Sequence, residues 1–204
     1  LTAEWDRYFM VSFRFIKSKG EEIIPDRIEI AGDGTRLLLT EYVDVWLKEG
    51  TYVLTLVEYK RADVKPLETT VLKIDGPKSF TIDCRVYDLK VNVVDPLGVA
   101  VSGITASTVL PNGDTLTVHG DGTVLFSKLP VGKYNVRVSC LLYNKSVNVE
   151  LTEDKEIIVV VPLSATIIAI LLVTLGLGSV SYIVYSRTKC VRARRKFLDL
   201  REKF

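Results

Sequence analysis

Apolar and polar residues alternate along most of residues 1–162. Residues 11–15 read VSFRF and residues 90–93 read KVNV, and a period of two places the apolar side chains on one face of a β-strand. The runs are short and are closed by Asp-Gly or Asn-Gly pairs at 33–34, 112–113 and 121–122. Glycine in such pairs supplies a positive φ at low cost. Many short strands with these turns predict antiparallel β-sandwiches.

This alternating region contains one order of motifs twice. FRFIKSKG at 13–20 matches VNVVDPLG at 91–98, and LKEGTYVL at 47–54 matches LPVGKYNV at 129–136. The two motifs of the second pair are separated by slightly more residues than the two motifs of the first pair. A shared order with a small drift in spacing predicts two similar domains, with the extra length in a loop of the second. We therefore expect one β-sandwich over residues 1–87 and another over residues 88–162.

Tyr52 and Tyr134 occupy equivalent positions in the two copies. Each follows a glycine, Gly50 or Gly132, and begins an alternating apolar face. We expect each ring to lie at the edge of its core with its hydroxyl bonded to loop backbone, like the tyrosine corner of other sandwiches. Contact with a ligand is the alternative.

The pattern changes after Pro162. The segment 163–185 contains no charged residue, and twelve of its members are Leu, Ile or Val. A helix of this length measures about 34 Å, enough to cross a hydrocarbon core of about 30 Å with modest tilt. We therefore predict one C-terminal transmembrane helix. A buried helix is the alternative, but such a helix is rarely apolar on all sides for six turns.

Charge is distributed unevenly about this segment. Residues 1–162 carry 19 basic and 23 acidic residues, a net charge of −4, whereas the tail at 186–204 has a net charge of +6. The basic residues that come directly after the segment are Arg187, Lys189, Arg192, Arg194, Arg195 and Lys196. The positive-inside rule therefore predicts a cell-membrane protein with its N-terminus outside and a cytoplasmic tail. Residues 1–5 are not a signal peptide, so we expect a removed signal or a longer protein.

Small residues occupy one face of the predicted membrane helix, namely Ala165, Ala169, Gly176 and Ser179. A face of small side chains allows another helix to approach closely. The alternative is that Gly, Ala and Ser are simply common in membrane helices. Helix packing through this face is therefore a hypothesis that needs a partner to test it.

Residues suited to catalysis or metal binding are few. His119 is the only histidine, and no partners around it suggest a triad. Asp33, Asp114 and Asp121 lie in turns but lack the carboxylate spacing of a calcium loop, so we favour turn formation over calcium binding. The acidic ectodomain has no basic stripe for nucleic acid. We predict no catalytic residue, cofactor, metal or small-molecule substrate, and hence a protein that is not an enzyme.

Two cysteines and the one glycosylation sequon each allow two interpretations. Cys84 and Cys140 fall on inward-facing positions of different domains, where each behaves as a small core residue. A disulfide between them would require the two cores to meet. Asn144 begins the only Asn-X-Ser/Thr sequon and is expected in an external turn, where glycosylation is an open alternative.

Several motifs of the second copy together suggest a family. They are DPLG after the first strand, an Asp-Gly turn followed by VLF at 124–126, and LPVGKYNV. Residues 89–162 thereby resemble the carboxypeptidase regulatory-like, transthyretin-like β-sandwich family, and residues 8–86 resemble it more loosely because LKEG lacks the proline. The resemblance implies a seven-stranded or similar sandwich with a structural or interaction role and no catalytic residues. Tandem domains on a basic-tailed anchor are also similar to surface proteins of thermophilic archaea.

These patterns predict a mainly β protein with two tandem antiparallel Ig-like or transthyretin-like sandwiches and one transmembrane helix. The function we expect is a non-catalytic anchor or stalk that presents sandwiches to other membrane or surface proteins. The alternative is an accessory subunit of a transporter, translocase or protease assembly, docked through its helix and its membrane-proximal sandwich. The joins at 84–89 and 159–163 contain no Gly or Ser spacer, so we expect little swing at either.

Overall fold

The computed structural model of the chain describes residues 6–32, 34–39, 44–140, 143–162, 171–183 and 185–187. The chain divides into two compact units, Leu1–Val161 and Pro162–Phe204. The described part of the first unit is built of β-strands, which confirms the prediction of a mainly β protein.

The first nine strands form two sheets. Their bounds are β1 Tyr8–Ile16, β2 Glu22–Ile23, β3 Arg27–Gly32, β4 Thr35–Leu39, β5 Val45–Lys48, β6 Gly50–Tyr59, β7 Ala62–Asp63, β8 Val71–Ile74 and β9 Lys78–Asp83. One sheet has the order β2-β1-β5, with β9 also paired to β1. The other has the order β4-β3-β6-β7, with β8 also paired to β6.

The remaining seven strands also form two sheets. Their bounds are β10 Val86–Val94, β11 Ile104–Val109, β12 Thr115–Gly120, β13 Thr123–Pro130, β14 Gly132–Cys140, β15 Tyr143–Leu151 and β16 Lys155–Val160. The sheet orders are β13-β10-β16 and β12-β11-β14-β15. This arrangement repeats that of the first half. The sheet β13-β10-β16 corresponds to β5-β1-β9, and the sheet β12-β11-β14-β15 corresponds to β4-β3-β6-β8. Among the described strands, the short β2 and β7 have no counterpart. The internal repeat in the sequence is thus a repeat of topology.

In each half the two sheets face one another across one apolar core. In the first half, Phe13 and Phe15 of β1 join Ile28 and Ile30 of β3 in the same cluster of buried side chains. In the second half, Val91 and Val93 of β10 are buried together with residues of β11 and β14. Alternation along each strand explains this, because every second side chain points between the sheets. The two halves are therefore β-sandwiches with separate cores.

The core clusters run from Val11 to Val86 and from Leu89 to Val161. This distribution agrees with domains at 1–87 and 88–162, although residues 1–161 behave as one compact unit. The domain limits remain a prediction.

The expectation of purely antiparallel sandwiches is wrong in one respect. β1 pairs with β9 in parallel, from Val11 opposite Lys78 to Ile16 opposite Asp83, and β10 pairs with β16 in parallel in the same way. When seven principal strands alternate in direction, the first and the seventh run the same way, so pairing them must be parallel. Each sandwich therefore receives the chain at one end and releases it at the other.

The second unit contains a helix over residues 171–183 that continues at 185–187. Its described apolar side chains are exposed, among them Leu172, Leu175 and Leu177. Within the described residues, no helix reaches the length and apolar character required to span a membrane. Residues 163–170, which belong to the predicted span, lie outside the described part.

Candidate functional site

His119, the one candidate for catalysis, makes a contact between two strands. This residue is exposed on β12, and its Nδ1 lies 2.9 Å from Oγ1 of Thr105 on the neighbouring strand. In the described part of the chain, no three His, Cys, Asp or Glu side chains converge as metal ligands would. His119 therefore takes part in a contact between neighbouring strands at the surface.

The aspartates of the glycine turns act on backbone and on nearby amides. Oδ1 of Asp121 accepts a hydrogen bond from the amide of Gly103 at 2.7 Å. The amide of Asp114 donates to Oδ1 of Asn112 at 3.1 Å. Asp33 lies outside the described residues. Asp121 thus joins its turn to the loop before β11, whereas the turn 112–114 is closed by the side chain of Asn112.

Cys84 and Cys140 are both free and buried, and they belong to different cores. The alternative of a disulfide between them is therefore wrong. Burial, with smaller contributions from Asp83 and Asp63, raises the pKa of Cys84 to about 12. Burial also raises the pKa of Cys140. Both thiols stay protonated at neutral pH and serve as core residues.

Asn144 does not lie in the expected turn. It belongs to β15, where it is opposite Ser139 of β14, and its side chain is exposed. The pattern of Tyr143–Leu151 alternates to the end, so the strand begins before the sequon rather than after it. The side chain is accessible, and its glycosylation remains a prediction.

The residues predicted for the membrane helix are described only in part. Oγ of Ser179 donates to the carbonyl of Gly176 at 2.8 Å, and a Cβ added at Gly176 would meet no atom within 4 Å. Ala165 and Ala169 lie outside the described residues, as do all the predicted basic anchors except Arg187. Helix packing and the tail's orientation remain predictions.

The expected tyrosine corners are confirmed in both sandwiches. The hydroxyl of Tyr134 donates to the carbonyl of Pro130 at 2.7 Å, and that of Tyr52 donates to the carbonyl of Lys48 at 3.1 Å. Each acceptor lies four residues before its tyrosine, and both rings are buried. Burial raises the pKa of the Tyr134 phenol. The two tyrosine hydroxyls therefore close equivalent corners.

The most concentrated polar chemistry in the described chain lies where the two sandwiches meet. Lys17 follows β1 and is only 4% exposed, and its Nζ donates to both carboxylate oxygens of Asp88, at 2.9 and 2.8 Å. Lys17 belongs to the first sandwich and Asp88 to the first strand of the second. We call these two residues, with Glu21, Lys128 and Asp154, the charged junction.

A β-bulge places Asp88 in this position. The pairing of β10 with β13 shifts between Tyr87 and Leu89, so that Asp88 faces two residues of β13 rather than one. One of these is Lys128, which adopts a φ of +55° and donates its amide to Oδ1 of Asp88 at 3.1 Å. Beside this irregularity, the carboxylate of Asp88 accepts hydrogen bonds from both the amide of Lys128 and Nζ of Lys17.

Glu21 and Lys128 complete an alternating set of charges around this pair. Oε2 of Glu21 lies 2.7 Å from Nζ of Lys17, and Oε1 lies 2.7 Å from Nζ of Lys128. Hydrogen bonds from Lys128 and Lys17 lower the pKa of Glu21 to about 2. Burial alone lowers the pKa of Lys17, but its bonds with Asp88 and Glu21 outweigh burial and raise that pKa. Each charged form is thus held by the opposite charge.

Asp154 fixes the other side of the junction. Its Oδ1 accepts a hydrogen bond from the amide of Asp88 at 2.8 Å, and its Oδ2 lies 2.8 Å from Nζ of Lys19. Burial opposes ionisation of Asp154, but the bonds from Lys19 and from the backbone of Asp88 outweigh it and lower its pKa. The loop before β16 is therefore bonded to the turn after β1.

The connecting residue Arg85 is held from both sides. Its Nε donates to the carbonyl of Lys65 at 2.6 Å, and its Nη2 donates to the carbonyl of Asp63 at 3.1 Å. Its own carbonyl accepts a bond from the amide of Val131 at 2.9 Å. The link is therefore hydrogen-bonded to both sandwiches, and the expectation of little swing at this join remains a prediction.

The charged junction was not predicted from the sequence, although one signal was present. Val11, Phe13 and Phe15 are the inward residues of β1, and Lys17 continues their alternation. A lysine at an inward position requires a buried partner. The partner itself could not be identified from the sequence, because Asp88 is 71 residues away.

No family model matches the chain, and no curated protein matches it. Among solved structures, a minor pilin of Streptococcus agalactiae is 9% identical, with a TM-score of 0.36 over 76% of this chain and 95% of that one. The Bacillus anthracis TIE protein is 15% identical, with a TM-score of 0.33 over 76% of this chain and 33% of that one.

A streptococcal ancillary pilin is 14% identical, with a TM-score of 0.33 over 76% of this chain and 61% of that chain. This chain therefore spans less than two thirds of the TIE protein and of the ancillary pilin. TM-scores below 0.5 do not establish a common fold.

Proposed function

We propose that this chain is a non-catalytic surface protein in which two sandwiches form a stiff stalk on a C-terminal membrane anchor. The observation that carries the proposal is the ion pair of the buried Lys17 with the partly buried Asp88 at the charged junction. A flexible tether needs no buried ion pair, whereas a fixed angle between domains requires contacts that specify one arrangement. The restricted link at Arg85 supports the same conclusion.

The chain path also suits a stalk. β1 and β9 run in parallel, so the chain enters the first sandwich at one end and leaves at the other. β10 and β16 repeat this geometry in the second sandwich. Tandem domains with opposite entry and exit points extend along the chain direction, as an element that spans a distance from a membrane must do.

Anchoring rests on the segment 163–185. This segment contains no charged residue, and a basic tail comes after it. The described helical residues expose Leu172, Leu175 and Leu177 to their surroundings, which is costly in water and favourable in lipid. The alternative role, as an accessory subunit of a membrane complex, uses the same anchor.

Stiffness is tested by measuring the distance between the sandwiches. Spin labels would be placed at Ser79→Cys on β9 and Ser146→Cys on β15 in the full chain in lipid nanodiscs. The third cysteine of the chain, Cys190 in the basic tail, is replaced in this background by Cys190→Ser. We expect one narrow distance distribution, and we expect Asp88→Ala to broaden it. The control pair, Thr115→Cys with Ser146→Cys, lies within the second sandwich and reports the width from label motion alone.

A distribution for the parent chain as broad as that of Asp88→Ala would refute the stiff stalk. Orientation is tested separately, by adding protease to intact cells, which should digest residues 1–162 and spare the tail. Purification in mild detergent with mass spectrometry distinguishes the two roles. Copies of the chain with surface proteins support the stalk, and a stoichiometric multi-span partner supports the accessory subunit.

A further inference from the structure

The turn after the first strand has the same construction in both sandwiches. In the turn 17–21, the amide of Lys17 donates to the carbonyl of Glu21 at 2.8 Å. The amide of Gly20 donates to the carbonyl of Lys17, also at 2.8 Å. In the turn 95–99, the amide of Asp95 donates to the carbonyl of Val99 at 2.9 Å, and the amide of Gly98 donates to the carbonyl of Asp95 at 3.0 Å. The φ of Gly20 is +79° and that of Gly98 is +81°. The two turns are therefore equivalent in structure as well as in sequence.

Their side chains differ in character. The first turn reads KSKGE and the second reads DPLGV. Asp95 is buried, and its Oδ1 accepts hydrogen bonds from the amides of Leu97 and Val99 at 2.9 Å each. Its charge is thus used within the turn, while Leu97 is 73% exposed and Val99 is 59% exposed. The hydrogen bonds of Asp95 thus fix the backbone of the second turn, which exposes two aliphatic side chains.

The adjacent strand changes in the same direction. In the first sandwich, Asp83 and Thr81 of β9 lie opposite the end of β1. The equivalent residues of β16, Val160 and Ile158, lie opposite the end of β10 and are exposed. Two polar positions have thus become apolar at the same end of the sandwich as the turn.

The two turns also differ in the part of the chain that comes after their sandwich. Residues Lys17, Lys19 and Glu21 of the first turn contact the next sandwich through the charged junction. The second sandwich releases the chain at the corresponding end, where the amide of Val161 donates to the carbonyl of Val94 at 2.9 Å. The next part of the chain is the uncharged segment 163–185.

We propose that the turn 95–99 is a lipid-contacting surface, in which Leu97 and Val99, flanked by Ile158 and Val160, enter the interface of the bilayer. In the first copy, this end is matched chemically to the next sandwich, and in the second copy the matching surface is hydrocarbon. The inference rests on the membrane anchor proposed above. Lys145, whose Nζ donates to the carbonyl of Val160 at 3.2 Å, provides a cation at the edge of this surface for lipid headgroups.

The test uses the full chain in vesicles of phosphatidylcholine and phosphatidylglycerol. An NBD fluorophore would be attached at Leu97→Cys in a Cys190→Ser background, and the control carries it at Lys19→Cys, the equivalent position of the first turn. Cys84 and Cys140 are buried and unreactive by comparison. Vesicle flotation establishes anchoring independently of the label.

We expect the label at position 97 to show blue-shifted emission and strong quenching by doxyl-labelled lipid, and the label at position 19 to be quenched instead by aqueous iodide. A label at Val99→Cys should behave as the label at 97 does. If the chain floats with vesicles but iodide quenches position 97 as fully as position 19, the lipid surface is refuted and the anchor stands. If the chain does not float, both proposals fail.

Discussion

Lys17 and Asp88 form a hydrogen-bonded ion pair, at 2.9 and 2.8 Å, between the end of one sandwich and the start of the next. Lys17 is almost fully buried. A buried ion pair does not necessarily stabilise a fold, because desolvation can cost as much as the attraction returns. Its more specific effect is that neither charge tolerates the loss of the other. We therefore expect the pair to favour one arrangement of the two sandwiches.

Removing one member of this pair should destabilise the protein. Asp88→Ala leaves the ammonium of Lys17 buried with Glu21 as its remaining charged partner, and we expect a loss of about 3 kcal/mol in the free energy of unfolding. Urea unfolding of the full chain in detergent measures this loss. The control is Lys19→Ala, whose side chain is exposed and whose removal should have a much smaller effect, because water screens its ion pair. Equal effects of the two substitutions would contradict burial as the cause.

Removing both charges should separate stability from orientation. In Lys17→Met with Asp88→Asn, no buried charge is left unpaired at these positions, and the asparagine oxygen still accepts from the amide of Lys128. We expect the free energy of unfolding to return to within about 1 kcal/mol of the parent. The distance distribution between labels at Ser79→Cys and Ser146→Cys should nevertheless broaden. A narrow distribution in the double variant would show that the remaining contacts, which include Glu21 with Lys128 and Lys19 with Asp154, are enough to set the orientation.

The charged junction should also weaken in acid. The pKa of Glu21 is lowered from 4.5 to about 2 in the folded protein, so its contribution to stability is present above about pH 4.5 and is lost as the pH falls towards 2. The raised pKa of Lys17 has the opposite sign, and its contribution is lost only as the pH rises above 10.5.

We therefore expect Glu21→Gln to lower the melting temperature at pH 7, and we expect its difference from the parent to shrink as the pH falls below 4. Melting curves across this range measure the effect. Glu68→Gln changes an exposed carboxylate outside the junction and serves as the control. A difference that persists unchanged at pH 2 would refute the assignment to Glu21.

The two tyrosine corners provide a matched comparison. Tyr134→Phe removes a buried hydrogen bond of 2.7 Å and leaves the carbonyl of Pro130 without that donor, at a cost of about 1 kcal/mol. Tyr52→Phe removes a longer bond of 3.1 Å that is only partly buried, so we expect a smaller loss. Thermal unfolding of both variants measures the order. A phenylalanine at 134 that is as stable as tyrosine would show that the hydroxyl contributes nothing.

Association through the helix is tested at Gly176. A Cβ added at this position would meet no atom within 4 Å apart from the helix's own backbone and the adjacent residues, so we expect Gly176→Leu to act mainly through a partner. If a helix packs closely there, leucine should weaken the complex by about 1 to 3 kcal/mol, as overpacking does elsewhere. Leu175→Ile, about 100° around the helix, is the control. Equal co-purification of both variants with a partner would leave binding to the sandwiches.

The sequence by itself determined the strands, the repeat and the corners. Alternation in segments such as 11–15 depends only on the two-residue period of a strand, which operates locally. Tyr52 and Tyr134 could be assigned for a similar reason, because each hydroxyl reaches a carbonyl only four residues earlier. The burial of Cys84 and Cys140 could be predicted because both lie at alternate positions that face the core.

Only the tertiary structure decided the parallel pairing of β1 with β9 and the charged junction. Both depend on which distant segments meet, and periodicity carries no information about that. Lys17 and Asp88 are 71 residues apart, and the bulge in β13 opposite Asp88 is likewise set by how distant strands pair. An inward lysine shows that a buried partner must exist, but the partner's identity is fixed by how the two sandwiches pack. The physical reason is that desolvation penalises an unpaired charge wherever it lies, whereas its neutralisation requires a specific group in contact with it.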